Sequence, residues 1–183
     1  MTKKMALLAM MFGAIAGFAV PATASAQTIT ENKVPLAVGA TFLATGTNIE
    51  ITTSAGHIKC KKLTWDLTVL ENTNEQSFAQ GKEEGEGCTV TQNGVPVTIT
   101  SAEVEMATEG GGTGEVTLSF VADIAGVLTC TFSGTIPLTY EPESQEFAIA
   151  GVLSGTGAGC PGVVEMHGNM ADETKNIVPV QTD

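Results

Sequence analysis

The sequence predicts an all-β domain, an antiparallel β-sandwich or flattened barrel of roughly ten strands that two disulfides staple together. Apolar and polar residues alternate with a period of two in many short stretches, which is typical of half-buried strands. Glycine and threonine are frequent, and no stretch after residue 26 has the 3.6-residue periodicity of a crossover helix. Of the two forms, we favour two sheets packed face to face over a closed barrel.

Residues 1–26 have the pattern of a secretory signal peptide. Two early lysines precede the apolar run Met5–Val20, and Ala24–Ala26 offers small residues for cleavage before Gln27. A membrane anchor is the alternative, but this run is shorter than the ~20 residues that span a bilayer. We therefore expect residues 27–183 to form a single secreted domain without a membrane span, located outside the cell or in its envelope.

The charge of the chain excludes several classes of partner. The net charge is −12, and the sequence contains no arginine. Because contacts to phosphates need clustered Lys and Arg, we expect no nucleic-acid partner and no anionic membrane surface. The acidic balance allows cation binding without requiring it. A cell-wall, polysaccharide or protein partner stays open.

The four cysteines predict the covalent frame. An even number in an exported chain indicates two disulfides, and zinc is disfavoured because no two cysteines have C-x2-C spacing. Three connectivities are possible. We predict Cys60–Cys88 and Cys130–Cys160, because sequential pairing closes the shortest loops. Each bond should contribute roughly 3–4 kcal/mol by the chain-entropy argument.

The chain up to Leu70 is predicted to form short strands after a loosely ordered start at Gln27–Pro35. Alternation and turn signals place these strands at Ala40–Ala44, from Ile49, at His57–Cys60 and at Leu63–Leu70. We expect the first two to form a hairpin through a turn at Gly46–Asn48. The fourth strand places Trp65 on its apolar face.

The stretch Glu71–Gly87 is predicted to be an irregular polar loop that the Cys88 disulfide ties to the core. It concentrates negative charge at Glu83, Glu84 and Glu86. We interpret these side chains as solvated. The alternative is a calcium site built from the three carboxylates, although the stretch lacks the D-x-D-x-D-G spacing of a dedicated calcium loop.

The second half of the chain is predicted to be a series of alternating strands. Further strands are expected at Val116–Ala122, Leu128–Tyr140, Phe147–Leu153, Val164–Met170 and Ile177–Val180. The alternation shifts by one residue around Ser101, which predicts a β-bulge or a break. Pro137 cannot donate a hydrogen bond to a neighbour, which predicts an edge or a bend in its strand.

Four stretches resemble a group of small secreted β-rich proteins from actinobacteria and similar bacteria. They are TSAGHIKC at Thr53–Cys60, GCTVT at Gly87–Thr91, CTFSG at Cys130–Gly134 and GTGAGCPG at Gly155–Gly162. The resemblance covers most of the secreted chain. It implies export and a frame of two cysteine pairs, and it adds no catalytic residue.

Candidate catalytic groups are sparse in the sequence. His57 and His167 are the only histidines, both are predicted on outward faces, and they can share a metal only if their strands are neighbours. There is no G-x-S-x-G motif. Two carboxyl groups about 5–9 Å apart would suffice for glycoside hydrolysis. Asp66, Glu103, Glu105 and Glu165 are predicted to lie where strand faces meet water, and we interpret them as solvated.

We therefore expect a non-catalytic secreted β module with a surface, binding or structural role. One alternative is a carboxylate-based glycoside hydrolase, which needs two buried acids in a cleft and at least one raised pKa. The other is a calcium-stabilised carbohydrate-binding module that uses Glu83–Glu86. No cofactor other than calcium is indicated.

Overall fold

A computed structural model describes residues 26–31, 34–54, 56–73, 76–108, 112–141, 143–172 and 177–182. This part of the chain is all-β, which confirms the predicted class, and it contains no helix long and apolar enough to cross a membrane. Its strands are β1 (Ala26–Glu31), β2 (Val34–Pro35), β3 (Thr41–Thr53), β4 (Gly56–Cys60), β5 (Lys62–Asn72), β6 (Ser77–Glu86), β7 (Cys88–Val90), β8 (Val95–Thr108), β9 (Thr113–Ile124), β10 (Leu128–Glu141), β11 (Glu146–Thr156), β12 (Val163–Asp172) and β13 (Ile177–Thr182).

Ten of these strands form one antiparallel sheet that closes on itself. Its order is β12-β11-β10-β9-β8-β6-β5-β3-β4-β7, and β12 also pairs with β3 while β7 also pairs with β8. These two extra ladders join what we expected to be two separate sheets, so the strand connectivity is that of a flattened barrel. The other three strands form a small sheet in the order β13-β1-β2.

The interior of the barrel is predominantly apolar. Alternate residues of each strand point inward, and the largest fully buried side chains include Trp65, Phe120 and Phe132. The rings of Phe120 on β9 and Phe132 on β10 lie 5.3 Å apart between centroids. Strand alternation therefore predicted the core correctly, and Trp65 is 1% exposed.

Both predicted disulfides are confirmed. Cys60–Cys88 joins β4 to β7 across 28 residues of sequence. Cys130–Cys160 joins β10 to the loop after β11 across 30 residues. All four cysteines are paired in this way.

The predicted turn at Gly46–Asn48 is wrong. Strand β3 runs continuously from Thr41 to Thr53, pairing with β5 as far as Gly46 and with β4 from Ile49. On its other side, the ladder to β12 shifts register between His167 and Asn169. The Gly-Thr-Asn sequence is therefore a mid-strand irregularity where β3 changes partners.

Two stretches predicted to lack regular structure are strands. Gln27–Pro35 contributes β1, which pairs with β13 from the other end of the chain, and also β2. Glu71–Gly87 contributes the end of β5 and all of β6, which pairs with β5 along most of its length. In both cases the partner strand supplies order that local composition does not indicate.

Two further predictions concern local irregularities in strands. A register shift between Ile99 and Ser101 in the β8–β9 ladder confirms the predicted bulge. Pro137 lies in β10, which is an interior strand and not an edge. The β10–β11 ladder is nevertheless interrupted between Ser133 and Leu138, where Pro137 has no N–H to donate.

We expect Asn72→Ala to destabilise the protein by about 2–4 kcal/mol, because Asn72 ties the small sheet to the barrel. Its side-chain oxygen accepts hydrogen bonds from the Ile29 N–H and the Ser77 hydroxyl, and its amide donates to the carbonyls of Ile29 and Leu36. Urea unfolding measures the loss. The control is Asn169→Ala, which removes one exposed bond to Glu146 and should cost under about 0.5 kcal/mol. Equal effects of the two substitutions would contradict this role.

Candidate functional site

The barrel wall opens between β6 and β8. The two strands pair from Ser77 to Gly81 on β6, opposite Val104 to Thr108 on β8. Beyond this point β6 keeps its ladder with β5, whereas β8 next pairs with β7 at Val97. Residues 82–87 and 98–103 therefore face each other without a ladder. The β8 bulge lies within this opening, and a bulge of this kind bends a strand away from its neighbour.

A recess of about 470 Å³ occupies the opening. Residues from both faces of the two strands line it, the buried Glu83 and Ala102 as well as exposed side chains. The lining residues are Lys82, Glu83, Glu84, Gly85, Ile99, Thr100, Ala102 and Glu103. Ile99 and Ala102 provide an apolar wall, while the rim carries the exposed Glu84 and Glu103.

Glu83 is the buried acid of this recess. It lies directly opposite Trp65 in the β5–β6 ladder, and only 5% of its surface is exposed. The indole Nε1 of Trp65 donates a hydrogen bond to Glu83 Oε2 at 3.1 Å. Glu83 Oε1 is also buried and has no hydrogen-bond partner among the described residues. A buried oxygen without a partner is costly, which makes it a natural contact for a ligand.

The environment of Glu83 favours its protonated form. Burial raises the pKa of the Glu83 carboxyl to about 7, and the hydrogen bond from Trp65 opposes this shift. The carboxyl therefore changes charge near neutral pH. A carboxylic acid that titrates in this range inside a recess is a common property of binding and catalytic sites.

Strand β6 approaches β5 closely at Gly81. Gly81 lies so close to β5 that a Cβ there would overlap the carbonyl oxygen of Asp66. We expect Gly81→Ala to destabilise the protein by about 1–3 kcal/mol, because the backbone of one strand must move. Gly162→Ala is the matched control, since a Cβ at Gly162 meets no atom within 4 Å. Thermal melts that shift equally for both variants would contradict this close approach.

Comparisons of the chain with protein-family models, with curated protein sequences and with solved structures each find no match.

The two histidines lie in a second cluster, on the outer face of the barrel. Strands β4 and β12 flank β3, so the histidine strands are not direct neighbours, and both side chains approach Glu50 on β3. His57 Nδ1 lies 2.7 Å from Glu50 Oε1, and His167 Nε2 lies 3.9 Å from Glu50 Oε2. Lys59 Nζ lies 2.9 Å from Glu50 Oε2. Its hydrogen bond lowers the pKa of the Glu50 carboxyl, and desolvation opposes this effect.

The candidate calcium ligands do not share a face. Glu83 points into the barrel, whereas Glu84 and Glu86 are exposed on the outside of β6. Among the described residues, no three or more His, Cys, Asp or Glu side chains form a group that could hold a metal ion. The positions of these three residues therefore do not support a shared calcium site, and the calcium hypothesis stays a prediction.

The four outward carboxylates named from the sequence are spread over several strands. Asp66, Glu103 and Glu165 are exposed, and only Glu103 lines the recess at Glu83. Glu105 accepts a hydrogen bond from Gln80 at 3.0 Å across the β6–β8 ladder. The opening therefore brings together one buried and two exposed carboxyl groups from two strands.

Sequence reasoning missed two residues and misplaced a third. Glu50 was not singled out, although it alternates with the apolar Ile49 and Ile51. Asp172 was not singled out either, although it ends β12 and is only 5% exposed. Glu83 was interpreted as solvated, and the available signal was the alternation of small residues with polar ones from Ser77 to Gly85.

Proposed function

We propose that this chain is an exported, non-catalytic β module that binds a ligand in the opening between β6 and β8. The observation that carries the proposal is the buried Glu83 carboxyl, which lines a recess of about 470 Å³ and has one oxygen without a hydrogen-bond partner in the part of the chain that the structure describes. Binding sites commonly combine an apolar concave wall with a few placed polar groups, and this recess has both.

Export is supported by the signal-peptide pattern of residues 1–26 and by the two disulfides, which persist in oxidising compartments. Residues 1–25, which carry most of the signal-peptide pattern, lie outside the described residues. We expect N-terminal sequencing of protein recovered from outside the cytoplasm to begin at Gln27. A cytoplasmic protein that keeps its first residues and reduced cysteines would overturn the export proposal.

The binding proposal is tested by mapping backbone amide shifts in ¹⁵N NMR spectra. The oxidised protein is titrated with soluble cell-wall fragments, plant oligosaccharides, amines and calcium. A ligand of the site should move the amides of residues 82–85 and 99–103 together, because these residues line one recess. Shifts confined to the outer β10–β11 surface, or no shifts with any compound, would contradict it.

The glycoside hydrolase alternative is favoured by one observation, the raised pKa of Glu83. A general acid needs this property, and Glu103 lies across the same recess as a second carboxyl. Glu103 is exposed, however, so it offers no second buried acid. Under our proposal, polysaccharide hydrolysis by the wild-type protein does not exceed that of Glu83→Gln. Turnover that Glu83→Gln abolishes would establish the enzyme instead.

A further inference from the structure

We propose that the recess at Glu83 binds a primary alkylammonium group, as carried by a lysine side chain or a free diamine, through an ion pair with the Glu83 carboxylate. This inference rests on the proposed binding function and specifies its ligand class.

The buried end of the recess fits an ammonium group. Trp65 Nε1 donates to Glu83 Oε2, so that oxygen is already satisfied, whereas Oε1 has no partner among the described residues. An ammonium group carries three donors and no acceptor, which matches an acceptor oxygen of this kind. A ligand carboxylate or phosphate would instead meet a buried acid.

The walls of the recess fit the chain that carries the ammonium. Ile99 and Ala102 line one side with apolar surface, and Thr100 adds a hydroxyl. A methylene chain gains from this burial, whereas a bare metal ion would need several further oxygen ligands. An alkyl chain that ends in a cation therefore matches the recess better than a metal ion does.

The charge around the recess attracts a cation. Glu84 and Glu103 stand at the rim, and between Lys82 and His167 the sequence contains no Lys, Arg or His. The wall built from β8, β9, β10 and β11 therefore carries acidic groups without basic ones. Lys82 also lines the recess, exposed on the same face of β6 as Glu84, so the lining carries three carboxyl groups and one ammonium group. Such a field raises the local concentration of a cationic ligand.

Binding should release a proton. Glu83 is protonated below a pH of about 7 when the recess is empty, and an adjacent cation favours its ionised form. The acid proton leaves to solvent as the ion pair forms, while the ammonium keeps its own protons because its pKa is about 10.4. As the pH is raised, the affinity for the amine should therefore increase about tenfold per pH unit up to a pH of about 7, and it should then level off.

Glu83 should dominate this pH dependence, because the other charged groups near the opening are exposed or lie elsewhere in the barrel. On its own strand these are Lys82, Glu84 and Glu86; β5 adds Lys62 and Asp66, β8 adds Glu103, and Asp172 faces the interior from β12. Of this set, Glu83 and Asp172 are buried. Asp172 already takes part in an interaction of its own, so it is not the acceptor that we assign to the ligand.

Isothermal titration calorimetry of the oxidised protein tests this inference. The probes are 1,5-diaminopentane and Nα-acetyl-lysine methylamide, which separate a free diamine from a peptide side chain, and the neutral control is 1,5-pentanediol. Measurements at pH 5.5, 6.5 and 7.5, in buffers of different ionisation enthalpy, count the protons released. We expect at least one amine to bind with about one proton released at pH 5.5 and about tenfold tighter binding at pH 6.5.

Two matched variants keep the test specific. Glu83→Gln keeps an acceptor for Trp65 and should weaken amine binding at least tenfold at pH 7.5 and remove its pH dependence. Glu84→Gln makes the same change at the exposed neighbour and should weaken binding less than threefold. Binding unchanged in Glu83→Gln, or equal binding of the diol, would overturn the inference. If neither amine binds but another compound shifts the recess amides, the ligand class is wrong and the binding proposal stands; if no compound shifts them, both fail.

Discussion

Replacing Glu83 with glutamine should remove roughly 3 kcal/mol of the pH dependence of the free energy of unfolding between pH 4.5 and pH 8. The folded state holds the Glu83 proton up to a pH of about 7, whereas the unfolded state loses it near 4.5. Folding therefore takes up a proton in this window, and the wild-type free energy of unfolding falls as pH rises through it. Glutamine has no such proton to lose. The free energy of unfolding of Glu83→Gln should therefore increase relative to that of the wild type as the pH rises through this window.

Urea unfolding of both proteins at pH 5, 6, 7 and 8 measures this difference. The difference between the two free energies, rather than either one, is the relevant quantity, because the chain's other acidic groups titrate in both proteins. Glu84→Gln is the control and should follow the wild type within about 0.5 kcal/mol, since its side chain is exposed. A constant difference between Glu83→Gln and wild type across this range would show that Glu83 is not held protonated.

Removing the second disulfide should cost a similar amount. The Cys130→Ala, Cys160→Ala double variant is expected to lose roughly 3–4 kcal/mol, because the bond closes a loop with a sequence separation of 30 residues. Cys130 is fully buried in β10, and its removal also leaves space in the core. The loss should appear as a lower urea midpoint, with a steeper slope because the unfolded chain without the cross-link exposes more surface.

The first disulfide provides the comparison. Cys60–Cys88 closes a loop of nearly the same length, so the Cys60→Ala, Cys88→Ala double variant should lose a similar free energy. This bond also lies at the β7 end of the opening, where a Cβ at Gly85 would contact Cys88 Sγ. We therefore expect its removal, and not removal of Cys130–Cys160, to alter the recess amides in NMR spectra. A midpoint unchanged by either double variant would mean that the bonds do not stabilise the fold.

Strand alternation and cysteine spacing were sufficient to predict the fold class, the core and both disulfides. These features depend on which residues face inward, and a period of two reveals that directly. The bulge at Ser101 was predictable for the same reason, because an extra residue changes the parity of the faces. The sequence does not show which strands are neighbours, so the ladder between β12 and β3 that closes the barrel was not predicted.

The errors have one physical cause, which is strand pairing that local composition does not reveal. Gln27–Pro35 is polar by composition, but it forms strands because β1 pairs with β13. The stretch Glu71–Gly87 was predicted to be an irregular loop because it is rich in Asn, Gln, Glu and Gly. It forms β6 because it pairs with the preceding strand β5, where Glu83 lies opposite Trp65. Local propensity gives no information on such pairing.

The candidate site could not be predicted from the sequence, for a related reason. Glu83, Glu84 and Glu86 have the same chemistry, and only the strand register assigns Glu83 to the interior. The opening depends on β8 leaving β6 for β7, which no local pattern indicates. The bulge near Ser101 was the one feature of this opening that the sequence predicted, and it lies in the wall of the recess.

The most direct test of the central claim is a pH titration of the Glu83 side-chain carboxyl by ¹³C NMR, assigned by the signal that Glu83→Gln removes. A buried acid in the barrel wall should titrate near pH 7, well above the ordinary glutamate value of about 4.3. A Glu83 signal that titrates near 4.3 would place this carboxyl in water. It would contradict the buried site from which the binding proposal is argued.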